Sequence, residues 1–324
     1  MMEPVYRVRA GLADPAKGVV EFAPAKCLWY GGHALLFIGA LVLAGPDALS
    51  PAALLTAVAL LHLTLLFGHS LGFHRLLIHR TYTARPLLRA GLFWAGALVG
   101  MGGPGDVARL HDTRDWAQRQ ARAHPYFSHD LPFLRDVWWQ MTSRFRFEHA
   151  PDVNLLPDEA SDPLIRHFDR WWRVHAMLPA LPLYLLFGWA GVAWGLSARI
   201  LVSALGHWSV VHLCHAPHRA MAGHGELDVP SAGVQASDLT SGTLAYFAAL
   251  LTHGECWHNH HHAFPESARI GFAHQPDPGH AVLRWMERRG WVSDLRGRRG
   301  EAERGDLARR VSVDRRPTLS ATGR

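Results

Sequence analysis

Long runs without formal charge limit what this chain can fold into. Cys27–Gly45 reads CLWYGGHALLFIGALVLAG, about the length that a helix needs to cross a hydrocarbon core. A second uncharged block, Ala52–Gly68, follows the turn Pro46-Asp47-Ala48-Leu49-Ser50-Pro51, whose prolines interrupt a helix. Val174–Ala190 and Val192–Leu213 form a second apolar pair around a glycine-containing turn. These blocks predict an all-α fold, an integral membrane helical bundle with about four transmembrane helices and a helical cap on the cytosolic side. Leu87–Gly103 is apolar but short, glycine-rich and interrupted by Arg89; it reads as a re-entrant or interfacial helix. Arg199 lies inside the last apolar block, where a charge is costly, so it faces protein or snorkels to the interface.

Charge is collected between the blocks. Hydrophobic residues make up 49% of the chain and charged residues 19%, below the roughly 25% typical of soluble domains. The formal net charge of +6 sits largely on arginines beside apolar blocks and in the tail, which fits a membrane surface better than nucleic acid. Arg75, Arg80 and Arg85 follow the second block and predict that this end is cytoplasmic. An even number of spans then puts both termini on that side. Residues 1–26 read as a cytosolic lead-in with no signal peptide, 27–295 as the membrane domain, and 296–324 as a disordered tail. The three cysteines, Cys27, Cys214 and Cys256, form no C-x-x-C pair, which argues against a zinc–thiolate site.

The 23 histidines gather near the ends of the apolar blocks. Four constellations carry possible chemistry. His74 and His79 are five apart, about 140° on an ideal helix, so a distorted turn is needed to bring the rings together; His69 is a rival partner. His111 and Asp115, at i and i+4, share a helix face, where an imidazole and a carboxylate can hold one ion. His212 ends the last apolar block, with His207 and His215 as competitors. Gly254–Pro265 reads GECWHNHHHAFP. There His258, His261 and His262 stand at i, i+3 and i+4 on one face, and His260 is turned away. Each pattern alone also suits an interfacial histidine or a helix salt bridge. Together they supply seven histidines and one aspartate, enough for two ions. Imidazole and carboxylate donors without thiolate favour iron, and two irons at a membrane surface suit activation of O2.

At these residues the chain resembles the membrane fatty acid desaturases, the acyl-CoA desaturase-like branch in its bacterial form, over roughly residues 27–295. That family carries histidine boxes H-x4-H, H-x-x-H-H and H-x-x-H-H, with a further histidine in an N-S-x-x-H stretch on the last span. His74-Arg-Leu-Leu-Ile-His79 followed by Arg80-Thr81-Tyr82 matches the first box and selects His79 over His69. His258-Asn-His-His261-His262, with Gly254-Glu255 before it and Ala263-Phe264-Pro265 after it, matches the third. Ser267-Ala-Arg-Ile-Gly271 continues the likeness. His212 takes the place of the extra histidine, with Trp208 where the family has Asn. The second box departs. Aligned from Gly103-Pro104, His111 keeps its place, but Arg114 and Asp115 stand where the family has paired histidines. Asp115 can replace an imidazole with a carboxylate; Arg114 donates only. An alternative register, which is not preferred, places Gln120, Ala123 and His124 on the box behind Trp116.

The resemblance implies a di-iron centre on His74, His79, His111, Asp115, His212, His258, His261 and His262, with O2 as co-substrate. It implies desaturation of a long-chain fatty acyl group, as acyl-CoA or acyl lipid, in lipid metabolism. An external electron donor (a ferredoxin, a rubredoxin or a b-type cytochrome) follows, because the chain has no dinucleotide, Fe–S or haem motif. The expected location is a bacterial inner membrane, with the metal site cytoplasmic. Trp94 and Trp189 are candidate lining for the acyl chain; Arg75, Arg80 and Arg109 are candidates for an anionic headgroup. A di-iron lipid hydroxylase or ketolase on the same scaffold, or a metal-poor non-catalytic homologue, remain open at this level.

Overall fold

The structure is a computed structural model that describes residues 7–120, 122–215 and 236–297. The expected tail beyond 297, and most of the loop before the third box, lie outside those residues. The described chain is mainly helical, with three short two-stranded sheets. Three helical runs, Pro24–Leu49, Pro51–Ile78 and Pro163–His215, are long and apolar enough to cross a membrane.

Helix α1 (Pro24–Ala44) is followed by a short 3-10 turn (Gly45–Leu49), and then by α2 (Pro51–Leu63), which Ser50 caps. The second run does not stop near His69, as the apolar pattern suggested. It continues from Thr64 to Ile78 as a wide helix of the π type. Helix α3 (Pro86–Val99) lies across this segment. A Cβ on Gly68 would fall 2.3 Å from the backbone of Ala95, so only glycine lets the two helices approach this closely. The short apolar block is therefore a packed helix, with Leu92, Phe93, Ala97 and Val99 buried.

The third run contains the second hairpin. Helix α4 (Pro104–Gln118) and helix α5 (Phe133–Thr142) precede it in the cap. Helix α6 (Pro163–Met177) leads into α7 (Ala180–Gly191). Gly188, at φ 57°, then reverses the chain. A Cβ on Gly191 would fall 2.3 Å from the carbonyl oxygen of Leu183, eight residues back, which no straight helix allows. The chain returns through Val192–Ala198 and α8 (Arg199–His215). Arg199 faces protein: its Nε donates to Gly195 O at 2.9 Å and its Nη1 to Leu98 O. Leu35, Val42, Leu55, Leu185 and Leu186 are exposed on the outside of these helices, and a bilayer covers such a belt.

The lead-in is built into the cap. Gly18–Phe22 pairs antiparallel with Ser143–Phe147, and Val8–Arg9 pairs with Asp152–Val153. Helices α9 (Gly242–Thr252), α10 (His258–Ala263) and α11 (Pro278–Arg288) complete the cap. The main core joins both parts: Leu71, Phe73 and Phe93 pack in one buried cluster with Phe168, Trp172 and Leu283.

Candidate metal centre

The wide helix explains the first box. An i→i+5 bond runs from His79 N–H to His74 O at 3.0 Å, and a helix closed by such bonds brings residues five apart onto one side. The two rings stand 4.8 Å apart, centroid to centroid. His111, on α4, and His261, on α10, complete the group: one ring nitrogen from each of the four lies within 4.8 Å of the others. His74 Nε2 faces His261 Nε2 at 3.1 Å.

The third box divides between two groups. While His261 joins His74, its neighbours His258 and His262, with ring centroids 5.8 and 5.5 Å from it, meet His215. The Nε2 atoms of His258 and His215 are 2.9 Å apart, and those of His262 and His258 are 3.1 Å apart. His260 is fully buried against Phe264 and Phe272, away from both groups.

These arrangements fit metal ions. A metal–imidazole bond of about 2.1 Å places neighbouring ligand nitrogens about 3 Å apart, the separation seen in both groups. Facing Nε2 atoms at that distance are poor hydrogen-bond partners unless the rings alternate as donor and acceptor, which three converging rings cannot all do. Buried His79 Nε2 has no hydrogen-bond partner. Burial first, and neighbouring imidazoles second, push His79, His258 and His261 well below the usual histidine pKa, so their lone pairs are available. The donors are all imidazole; Cys214 and Cys256 stand outside both groups.

Carboxylates orient one ring in each group. His74 Nδ1 lies 2.7 Å from Glu255 Oε2, a close charge contact without hydrogen-bond geometry, and its Nε2 faces the other histidines. Ser70 Oγ donates to the second oxygen at 2.5 Å. Burial alone would raise the Glu255 carboxyl; His74 and Arg75 outweigh it and hold it below the usual carboxylate range. Asp115, expected as a ligand, sits behind His262 in the same manner, with Oδ1 3.4 Å from His262 Nδ1. Its other oxygen accepts from Arg119 Nε at 2.9 Å.

His212, expected as a ligand beside the third box, lies in a third buried group of a kind that could hold an ion. Its Nδ1 and that of His129 each lie 2.7 Å from Asp136 Oδ2. Three residues further on, His215 takes the position beside His258 and His262. Both are on the last turn of α8, and the rotation of that helix decides which of them meets the third box. Arg114, in the departing second box, holds no site. Its guanidinium lies 4.6 Å over the Trp208 ring and donates to Gln140 Oε1 and Tyr126 O. Two of the three residues that depart from the family pattern, Arg114 and Trp208, thus pack on each other. His124 caps a short helix through Tyr126 N–H, far from a ligand role, which supports the register with His111 in the box.

Sequence reasoning also missed Arg7. Its side chain is buried and donates to Glu159 at 2.5 and 2.7 Å, to Asp112 at 2.9 Å and to Leu77 O at 3.0 Å. It ties the lead-in to the end of the first box and to the neighbour of His111. A lone arginine in a polar segment gave no sign of this.

A cavity of about 490 Å3 runs past the histidines, within the range of small-molecule sites. Leu61, Leu65, Phe73, Val99, Val202 and Trp208 give it apolar walls. Neither Trp94 nor Trp189 lines it: Trp94 is partly exposed, and Trp189 packs on Tyr184. The expected headgroup arginines are engaged too. Arg75 is buried in a pair with Asp277, while Arg80 and Arg109 pair with Asp158 and Asp106.

A helical membrane protein whose imidazoles form two metal-type groups along an apolar cavity belongs with the membrane-bound oxidoreductases that act on lipids. No family model matches the chain. Among curated proteins, it is 31% identical over 243 residues to the sn-1 stearoyl-lipid 9-desaturase of Anabaena variabilis, covering 73% of this chain and 80% of that protein. It is 26% identical over 266 residues to the acyl-CoA C20 Delta5-desaturase of Anemone leveillei, covering 81% and 80%. The sn-2 palmitoyl-lipid 9-desaturase of a Nostoc strain is 28% identical over 205 residues, covering 63% and 67%. The chain belongs to the fatty acid desaturase family and is an oxidoreductase that desaturates fatty acyl groups.

Proposed function

We propose that this chain is an O2-dependent di-iron desaturase of a long-chain fatty acyl group, carried as a CoA thioester or a membrane lipid ester. The observation that carries this reading is the convergence of seven imidazoles from four separate segments into two groups beside one apolar cavity. His74, His79, His111 and His261 would hold one iron. His215, His258 and His262 would hold the other, with His215 in the role first expected of His212. Bound iron supplies the oxidising power to break unactivated C–H bonds, which side-chain acids and bases lack.

The chain's own residues provide placement. Glu255 stands against Nδ1 of His74 while Nε2 faces His261. The apolar walls hold an extended acyl chain and keep bulk water from the histidines. In balance, one vicinal pair of hydrogens leaves the acyl chain; O2, two electrons and two protons complete the formation of two waters. The electrons require an external donor of the ferredoxin, rubredoxin or b-type cytochrome kind. We place the metal centre and both termini on the cytoplasmic face of a bacterial inner membrane, supported by the arginines beyond the second span. Hydroxylase, ketolase and metal-poor readings are not favoured, because the curated relatives are desaturases and the imidazole groups are intact without Arg114 and Asp115.

The test is the fatty-acid profile of a bacterial host that expresses the chain, beside a His261→Ala control. Products lighter by two hydrogens, absent from the control, are expected. Products that gain an oxygen, or purified protein with no bound iron, would overturn the proposal.

A further inference from the structure

We propose that Asp115 is a positioning residue for His262, not a metal donor, in the group formed by His215, His258 and His262. This rests on the reading of the two groups as metal positions.

Asp115 stands where the family pattern has a histidine, and both of its oxygens have partners of their own. One meets His262 Nδ1 at 3.4 Å and the other accepts from Arg119 Nε at 2.9 Å. Arg119 Nη2 also donates to the carbonyl oxygen of His262, at 3.4 Å. Carboxylate, guanidinium and histidine thus close a triangle around one backbone position. To bind a metal, the carboxylate would have to leave both partners. Held there, it stands against Nδ1 of His262 while Nε2 faces His258 at 3.1 Å, as Glu255 stands behind His74 in the other group. A carboxylate behind an imidazole both fixes the ring and raises its strength as a ligand.

The experiment uses the full chain, purified and loaded with iron, as wild type and as Asp115→Asn, Asp115→Leu and Arg119→Gln. Iron per chain is measured by chelator competition. Asn can still accept from His262, so Asp115→Asn should keep both irons. Asp115→Leu should weaken one iron about 10–100-fold and leave the other in place, and Arg119→Gln should act in the same direction but less. If Asp115→Asn loses iron as Asp115→Leu does, the carboxylate is a ligand and the inference fails. If Asp115→Leu matches wild type, Asp115 has no role and the inference fails again. Wild type that binds no iron removes the two-metal reading itself, an outcome distinct from both.

Discussion

The two histidine groups differ in how they are fastened. The four-imidazole group draws on the end of the second span, α4 and α10, and is braced from outside by Glu255 and by the Arg7 cluster. The three-imidazole group joins only α8 and α10, and its carboxylate contact is longer, 3.4 Å for Asp115 and His262 against 2.7 Å for Glu255 and His74. One group is held as part of the fold's framework. The other has all three of its histidines, against two of four in the first, on the cavity wall, with fewer supports. The same side-chain type thus stands in two settings, one more firmly braced than the other.

The largest expected effect separates neighbours on α8. His215→Ala should abolish desaturation and release one iron, whereas His212→Ala should keep both irons and measurable product; fatty-acid profiles and iron content check this. The reverse result would give the smaller group to His212. Next comes Arg7. Removal of a buried charged partner typically costs about 3–5 kcal/mol, and Arg7→Ala leaves Asp112 without its arginine and Glu159 with only the longer contact to Arg80, at 3.8 Å. Thermal unfolding in detergent should show a large drop in Tm, accompanied by loss of iron from the four-imidazole group first. Equal loss from both groups would remove the distinction drawn here.

Glu255→Gln tests the shorter carboxylate contact. Iron affinity or turnover should fall by about 10–100-fold, more than for Asp115→Asn; the opposite order would contradict the geometry. The smallest effect belongs to Trp208→Leu. It removes a desolvated cation–π contact of about 2 kcal/mol from Arg114 and should lower stability modestly, with iron content unchanged.

The legible parts of the sequence were those in which neighbours in the chain are neighbours in space. Uncharged blocks longer than a turn or two need a bilayer or a core, so the spans around Cys27–Gly45 and Ala52–Gly68 follow from composition alone. The third box announces its ligands because i, i+3 and i+4 share a helix surface. The first box was half legible: five-residue spacing is wrong for an α-helix, and only the wider helix from Thr64 to Ile78 reconciles it.

What the tertiary structure decided is the partnership of distant residues. His258, His261 and His262 looked like one set, yet neighbouring rings on one helix face meet different partners, which divides them. His212 and His215 carry the same imidazole on the same turn; the rotation of α8 in its packing chooses between them. Asp115 carries a donor at a box position, but Arg119 and His262 claim its oxygens. Arg7 lies far from the boxes in sequence and gains its role only because a strand pair brings the lead-in onto the cap. Residue type and spacing thus determined that this chain carries histidine groups suited to a metal site beside membrane-spanning helices. Which atoms meet was decided by the angles and approaches at which helices pack, and a linear sequence does not state them.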